Sequence, residues 1–375
     1  MGLGRFSILI VLYFVNVKSL LGMEVYVQLS VIFDKIKHLF PGYFALVMAT
    51  GALSIATYLL DYDKWSNYLF YLNTLFIITL AIVVTIRFLF FFSYVKEDLT
   101  SHLRGPGFFT IVAGINVYAT ELLFFVNKTN LALILWLISI ILWTAIMYTF
   151  FTAITIQEDK PSLAEGINGA WLIAAVATQS ISVVGTLLVS SIRDEQWAEF
   201  IFFVSLSMYL LGCMLYLSII TLIFYRFTFL HLKYSSYTPP YWINMGAVAI
   251  TTLAGSLIIL NSQQSLLIQQ FIPFVKGFTL FFWVTGTWWI PLLVILMYWR
   301  YIIHKFPLNY DQQMWGMVFP VAMYTIATFK LSKALEIPFL ANISTFFIYP
   351  AFLIWLLGII LMVIHLVRDI LLKDK

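Results

Sequence analysis

Few residues in this chain are equipped for covalent chemistry, and their placement argues against it. Cys213 is the single cysteine, which excludes a disulfide framework and a cysteine-rich metal site. The five histidines, His38, His102, His231, His304 and His365, fall at or near the ends of apolar stretches, so no two can clamp a haem from facing helices. The acidic clusters Asp61-Tyr62-Asp63 and Glu97-Asp98 lie between such stretches, where solvated turns explain them. Neither H-E-x-x-H nor the phosphate loop G-x-x-x-x-G-K-[ST] occurs. A membrane-embedded enzyme is an alternative with no nucleophile–base pair to carry it. A membrane sensor is another, and it lacks a soluble signalling domain. No cofactor is expected.

The remaining chemistry is non-covalent. Thr50, Ser54, Asn116, Gln179, Thr251, Thr252, Thr325 and Thr328 lie deep inside apolar stretches. A hydroxyl or amide in lipid is costly unless it finds a partner or water. Each taken singly reads as an interhelical hydrogen bond. As a set on alternate stretches they suggest the lining of a pore. Glu121 is the one acid well inside this set, with Lys330 at the same end as a candidate ion-pair partner. Hydrogen-bond donors with almost no fixed negative charge suit anions, whereas cation pathways display acidic rings.

The elements that must position these residues are transmembrane helices. Of 375 residues, 62% are hydrophobic and 10% charged, with net charge +4. Mean hydropathy is +0.96. Soluble domains are about 45–50% apolar and about 25% charged. A soluble enzyme, a disordered chain and a nucleic-acid partner are thereby excluded, and the bilayer is the expected surrounding. Ten stretches reach the roughly 20 apolar residues needed for a span: Pro41–Leu60, Leu69–Phe92, Gly107–Val126, Leu131–Thr155, Gly169–Val189, Phe200–Tyr225, Tyr241–Leu260, Ile272–Arg300, Gln312–Lys333 and Thr345–Asp369. Short connections between them predict five consecutive helical hairpins. The chain reads as an N-terminal segment, residues 1–40, followed by one membrane domain, residues 41–375. Phe6–Val15 resembles a signal-peptide core, or else Met23 is the true start. Val25–Leu39 reads as an amphipathic helix on the membrane surface. Fifteen of 21 lysines and arginines fall on the side shared by the termini, which places both termini in the cytoplasm of a multi-pass cell-membrane protein.

Odd and even stretches differ in kind. The odd ones hold 39 Gly, Ala, Ser or Thr in 103 residues, the even ones 25 in 129. Small residues permit close backbone approach, and bulky ones suit lipid. The odd helices are therefore expected to surround an axis, with the even helices outside them. Pro291 and Pro320 should bend their helices, because an interior proline removes a backbone hydrogen bond. Phe319, just before Pro320, is a bulky ring well placed to plug a narrow channel.

Several motifs then carry a resemblance: Pro41-Gly42-Tyr43-Phe44-Ala45-Leu46-Val47-Met48-Ala49-Thr50-Gly51; Pro239-Pro240-Tyr241-Trp242-Ile243-Asn244-Met245-Gly246; Lys276-Gly277-Phe278-Thr279-Leu280-Phe281-Phe282-Trp283 with Trp288-Trp289-Ile290-Pro291; and Trp315-Gly316-Met317-Val318-Phe319-Pro320. In order and spacing they resemble the tellurite-resistance/dicarboxylate transporter family, the TehA, malic acid permease and slow anion channel superfamily. The resemblance spans about residues 40–370. It implies five hairpins in quasi-five-fold arrangement around a central pore, usually as a homotrimer. It implies passive permeation of C4-dicarboxylates such as malate, or of sulfite, nitrate, chloride or tellurite. A proton-coupled dicarboxylate carrier is the alternative. It also implies an aromatic gate within Trp-x-x-x-Phe-Pro, which falls on Phe319.

Overall fold

The computed structural model describes residues 31–371. Phe6–Val15, Met23 and the first residues of Val25–Leu39 lie outside the described residues. Among the described residues there is no strand, and ten helices are long and apolar enough to cross a membrane. They are α1 (Pro41–Leu59), α2 (Asp63–Phe90), α3 (Gly105–Phe125), α4 (Thr129–Ile156), α5 (Gly169–Val189), α6 (Glu195–Phe229), α7 (Pro239–Leu260), α8 (Leu266–Ile303), α9 (Gln312–Ala334) and α10 (Phe339–Arg368). The protein is an all-α membrane protein. The even helices, 28 to 38 residues long, outrun the apolar stretches that mark them in the sequence. Apolar composition measures only the hydrocarbon core, and helical hydrogen bonding continues into the polar flanks.

The chain forms two compact units. Among the described residues, one comprises 31–39 and Ala81–Glu97, the other Phe40–Leu80 and 98–371. In the first, residues 31–37 are helical. Phe33 meets Phe90 and Phe91 edge-on, with ring centroids 6.5 and 6.2 Å apart. Arg87 Nε donates to the Lys37 carbonyl at 3.2 Å, and Lys37 Nζ lies 4.5 Å above the Tyr94 ring.

The second unit is organised by burial. Between 72% and 94% of the apolar stretch of each odd helix is buried, against 22% to 44% for each even helix. The odd helices close on themselves: α1 packs on α3, α3 on α5, α5 on α7, α7 on α9, and α9 on α1. Among the even helices, α4 packs on α3 and α5, α6 on α5 and α7, and α10 on α9 and α1. A helix flanked on all sides needs small residues. A Cβ on Gly246 of α7 would lie 2.7 Å from Pro320 Cγ of α9, so only glycine leaves room for that proline.

Tight connections keep each odd helix antiparallel to the even helix that follows. Asp61 and Glu336 adopt left-handed φ of 64° and 57° just past α1 and α9. The N–H of Tyr62 reaches back to the Thr57 carbonyl, and that of Ile337 to Ser332, both at 2.9 Å. These six-to-one bonds satisfy carbonyls that a helix end leaves open.

Candidate functional site: a passage through the inner helices

Each odd helix opens in a 3-10 turn: Pro41–Phe44, Gly105–Phe108, Gly169–Leu172, Pro239–Trp242 and Gln312–Met314. Proline suits these starts because its missing N–H would be unpaired there anyway. The five turns touch one another in the same cyclic order as the helices they begin. At two seams of this rim contact is backbone to backbone. A Cβ on Gly107 would lie 2.8 Å from the Gly42 nitrogen, and one on Gly169 would collide with the Pro240 carbonyl.

Inside the rim lies a cavity of about 600 Å³ bounded by all five inner helices. Five helix N-termini surround it, and each carries about half a positive charge on its unpaired N–H groups. Two are capped, by Asn168 Oδ1 accepting from Ala170 and by Asp311 Oδ1 accepting from Gln313. Arg104, Arg226 and Glu165 contribute formal charge to the wall. Arg104 is neutralised by a two-pronged ion pair with Asp98, at 2.5 and 3.1 Å. Glu165 is exposed and accepts from Ser162 Oγ at 2.9 Å. Arg226 is different. It is 7% exposed and donates to the Ile167 carbonyl and the Tyr241 hydroxyl, and its Nε has no partner. It has no carboxylate partner among the described residues, so its charge adds to that of the N-termini.

Phe319 lines the deep end of this cavity and is 1% exposed. One turn further along α5 and α9, at Ser180 and Met323, a second chamber of about 20 Å³ begins. Four residues of helix span about 6 Å. All five inner helices line this chamber too, through residues such as Ile55, Asn116, Ser180, Ile250 and Met323, with Lys330 among them. The two chambers thus follow one another along the ring of inner helices, with Phe319 lining the first.

The polar residues singled out in the sequence point elsewhere, with one exception. Thr50 Oγ1 accepts from Trp355 Nε1 of α10 at 3.1 Å, and Ser54 Oγ donates to the Ser66 carbonyl of α2 at 3.1 Å. Gln179 Nε2 donates to the Tyr209 carbonyl of α6 at 2.9 Å, and Thr328 Oγ1 accepts from Trp283 Nε1 of α8 at 3.0 Å. Thr251, Thr252 and Thr325 donate to carbonyls one turn back, at 2.8, 2.8 and 3.0 Å. None of these seven lines either chamber. They tie inner helices to outer ones or bond to their own helix. Asn116 is the exception. It lines the second chamber while donating to Ser180 Oγ and accepting from Ser139 Oγ, both at 3.0 Å.

Glu121 and Lys330 do not form an ion pair. Glu121 is fully buried and Oε2 accepts from Asn73 Nδ2 of α2 at 2.6 Å. Lys330 Nζ lies 5.6 Å from the centre of the Phe124 ring. Pro320 stands on α9 beside Gly246, whereas Pro291 belongs to the outer helix α8. Sequence reasoning missed Arg226 and the function of the Pro/Gly starts. The second could have been found, since Pro41-Gly42, Gly105-Pro106-Gly107 and Pro239-Pro240 all precede odd stretches.

A family model described as a voltage-dependent anion channel, SLAC1, matches residues 38–363. An uncharacterized membrane protein of Mycobacterium tuberculosis (strain H37Rv) is 34% identical over 156 residues, 42% of this chain and 79% of that protein. Two uncharacterized transporters of Methanocaldococcus jannaschii align over nearly the whole length. One is 24% identical over 91% of this chain and 98% of its own, the other 23% over 87% and 93%. The model covers the complete ring of inner helices together with both chambers, and the chain belongs to the SLAC1 (voltage-dependent anion channel) family.

Proposed function

We propose that the protein is a passive anion channel in which Phe319 limits conduction. One observation carries this reading: a passage bounded by five inner helices is entered through five helix N-termini and interrupted by one aromatic ring. The N-termini and Arg226 make the mouth attractive to anions before any ligand contact is made. Beyond the mouth, no carboxylate lines the passage among the described residues. By the Lys and Arg distribution the mouth and both chain ends would face the cytoplasm, and the N-terminal segment would lie at the membrane surface. The assembly would be a homotrimer with one passage per protomer. Candidate permeants are chloride, nitrate and sulfite, and malate-like C4-dicarboxylates once the ring has moved. Tellurite belongs in the same panel. Proton coupling would fall to Glu121, and that carboxylate is bonded to α2 and lines neither chamber. An enzymatic reading has no residues to support it.

The test is flux in proteoliposomes with radiolabelled malate, sulfite and chloride, together with reversal potentials in a salt gradient. Reversal at the anion equilibrium value is expected. Reversal at the cation value refutes the proposal.

A further inference from the structure

Each inner helix is the first helix of its hairpin, so all five point the same way through the ring. Their N-termini meet at one mouth and their C-termini meet at the other, near Leu59, Phe125, Val189, Leu260 and Ala334. A helix C-terminus carries up to about half a negative charge, and although turn bonds satisfy some carbonyls at α1 and α9, the far end is negative overall. That field repels an anion where it must leave or enter the passage.

Lys330 stands at this place. It is the one charged residue lining the second chamber. It is only partly exposed and makes no ion pair, and Glu121 Oε2 accepts from Asn73 instead. Its ammonium rests against the Phe124 ring. The next cation, Lys333, lies over Phe329 at 5.6 Å and lines neither chamber. Packing alone does not require a charge here. A half-buried ammonium without a carboxylate is costly to keep, and an anion is its natural complement. The chamber of about 20 Å³ has room for a single small body.

We infer that Lys330 and the chamber it lines form a binding site for one small monovalent anion, such as a halide, which offsets the C-terminal ends of the inner helices and carries the ion past them. This inference rests on the anion-channel reading and names its second ion position. A dicarboxylate is too large to rest there.

The site is tested with chloride in the Phe319→Ala protein, where the ring no longer limits current. Lys330→Met should lower conductance about tenfold at low chloride, with the curves converging at high chloride as screening and saturation take over. Lys330→Arg should retain most of the conductance. Lys330→Glu should make the current rectify and favour cations. Superimposable conductance–concentration curves for Phe319→Ala with and without Lys330→Met overturn the inference while leaving the channel reading intact. Binding is read separately on purified wild-type protein, as thermal stabilisation by chloride over gluconate at constant ionic strength. Loss of that stabilisation in Lys330→Met, but not in Lys330→Arg, supports the site even if no current is found and the channel reading fails. Equal stabilisation of wild type and Lys330→Met overturns it.

Discussion

Replacing Phe319 with alanine should raise anion conductance roughly a hundredfold. In the wild-type protein the ring is 1% exposed and separates the 600 Å³ cavity from a chamber beginning one turn further on. On the proposed reading, an ion passes only when the ring moves. Forcing the side chain off its rotamer costs about 1 kcal/mol. Giving up around a quarter of the dispersion contacts of a buried side chain costs about 2 kcal/mol more. Together these make about 3 kcal/mol, which converts to roughly a hundredfold in rate. The variant should remain folded, because the ring borders open space on its cavity side and the loss stays near or below the low end of the roughly 3–5 kcal/mol seen for buried phenylalanines. Single-channel or macroscopic current in a heterologous membrane is the assay, with folding checked by gel filtration. Phe319→Leu should fall between the two. Phe329→Ala, one residue from Lys330 on the same helix, should behave as wild type. A folded Phe319→Ala protein whose current stays within about threefold of wild type would falsify the gate assignment.

Other perturbations follow from single contacts. Arg226→Gln should lower anion current most at low ionic strength, since it removes the unpaired charge of the mouth; a current loss independent of salt would argue for a purely structural role. Gly246→Val should destabilise the protein by about 1–3 kcal/mol by pushing α7 away from Pro320, read as a lowered melting temperature in detergent. Asn73→Leu strips Glu121 of its 2.6 Å hydrogen bond and should cost about 1–3 kcal/mol; a double-mutant cycle with Glu121→Gln should return a coupling well above zero. Partial burial and then the Lys160 ammonium hold His102, in the loop before α3, below its ordinary 6.5. The unfolded chain therefore takes up this proton first as pH falls. The associated stability is fully present above about pH 6.5 and declines below it. His102→Gln should flatten that part of the melting-temperature profile, and an unchanged profile would rule the histidine out.

The ring of helices was legible in the sequence because composition reports how crowded a helix is. Small residues such as Gly51, Gly185 and Gly255 recur on helices that must pack on every side, and clusters such as Phe88 and Phe90 mark a lipid-facing one. Which way a residue points on an inner helix was not legible. A half-buried helix displays its orientation as an apolar stripe, but a helix buried all round has none. Thr50 and Ser54 were therefore indistinguishable from pore residues until their partners on α10 and α2 were seen. Apolar lining such as Met323 and Ile326 carries no sequence signal of its own, because it has the composition of any core. Phe319 was singled out both by its place before Pro320 and by a motif. The apolar setting of Arg226 depends on the starts of α5 and α7, far from it in the chain.

At the rim, Gly107 lies against Gly42, and Gly169 against Pro240, with no side chain between the backbones. Such a collar has nothing soft to compress and no slack to take up. At these two seams it resists opening like an iris. On the gating proposed above, control over flow resides in a single swinging group below it, a turnstile set in a stiff frame. Its opening and closing should be quick, local and little affected by how thick or stiff the surrounding bilayer is.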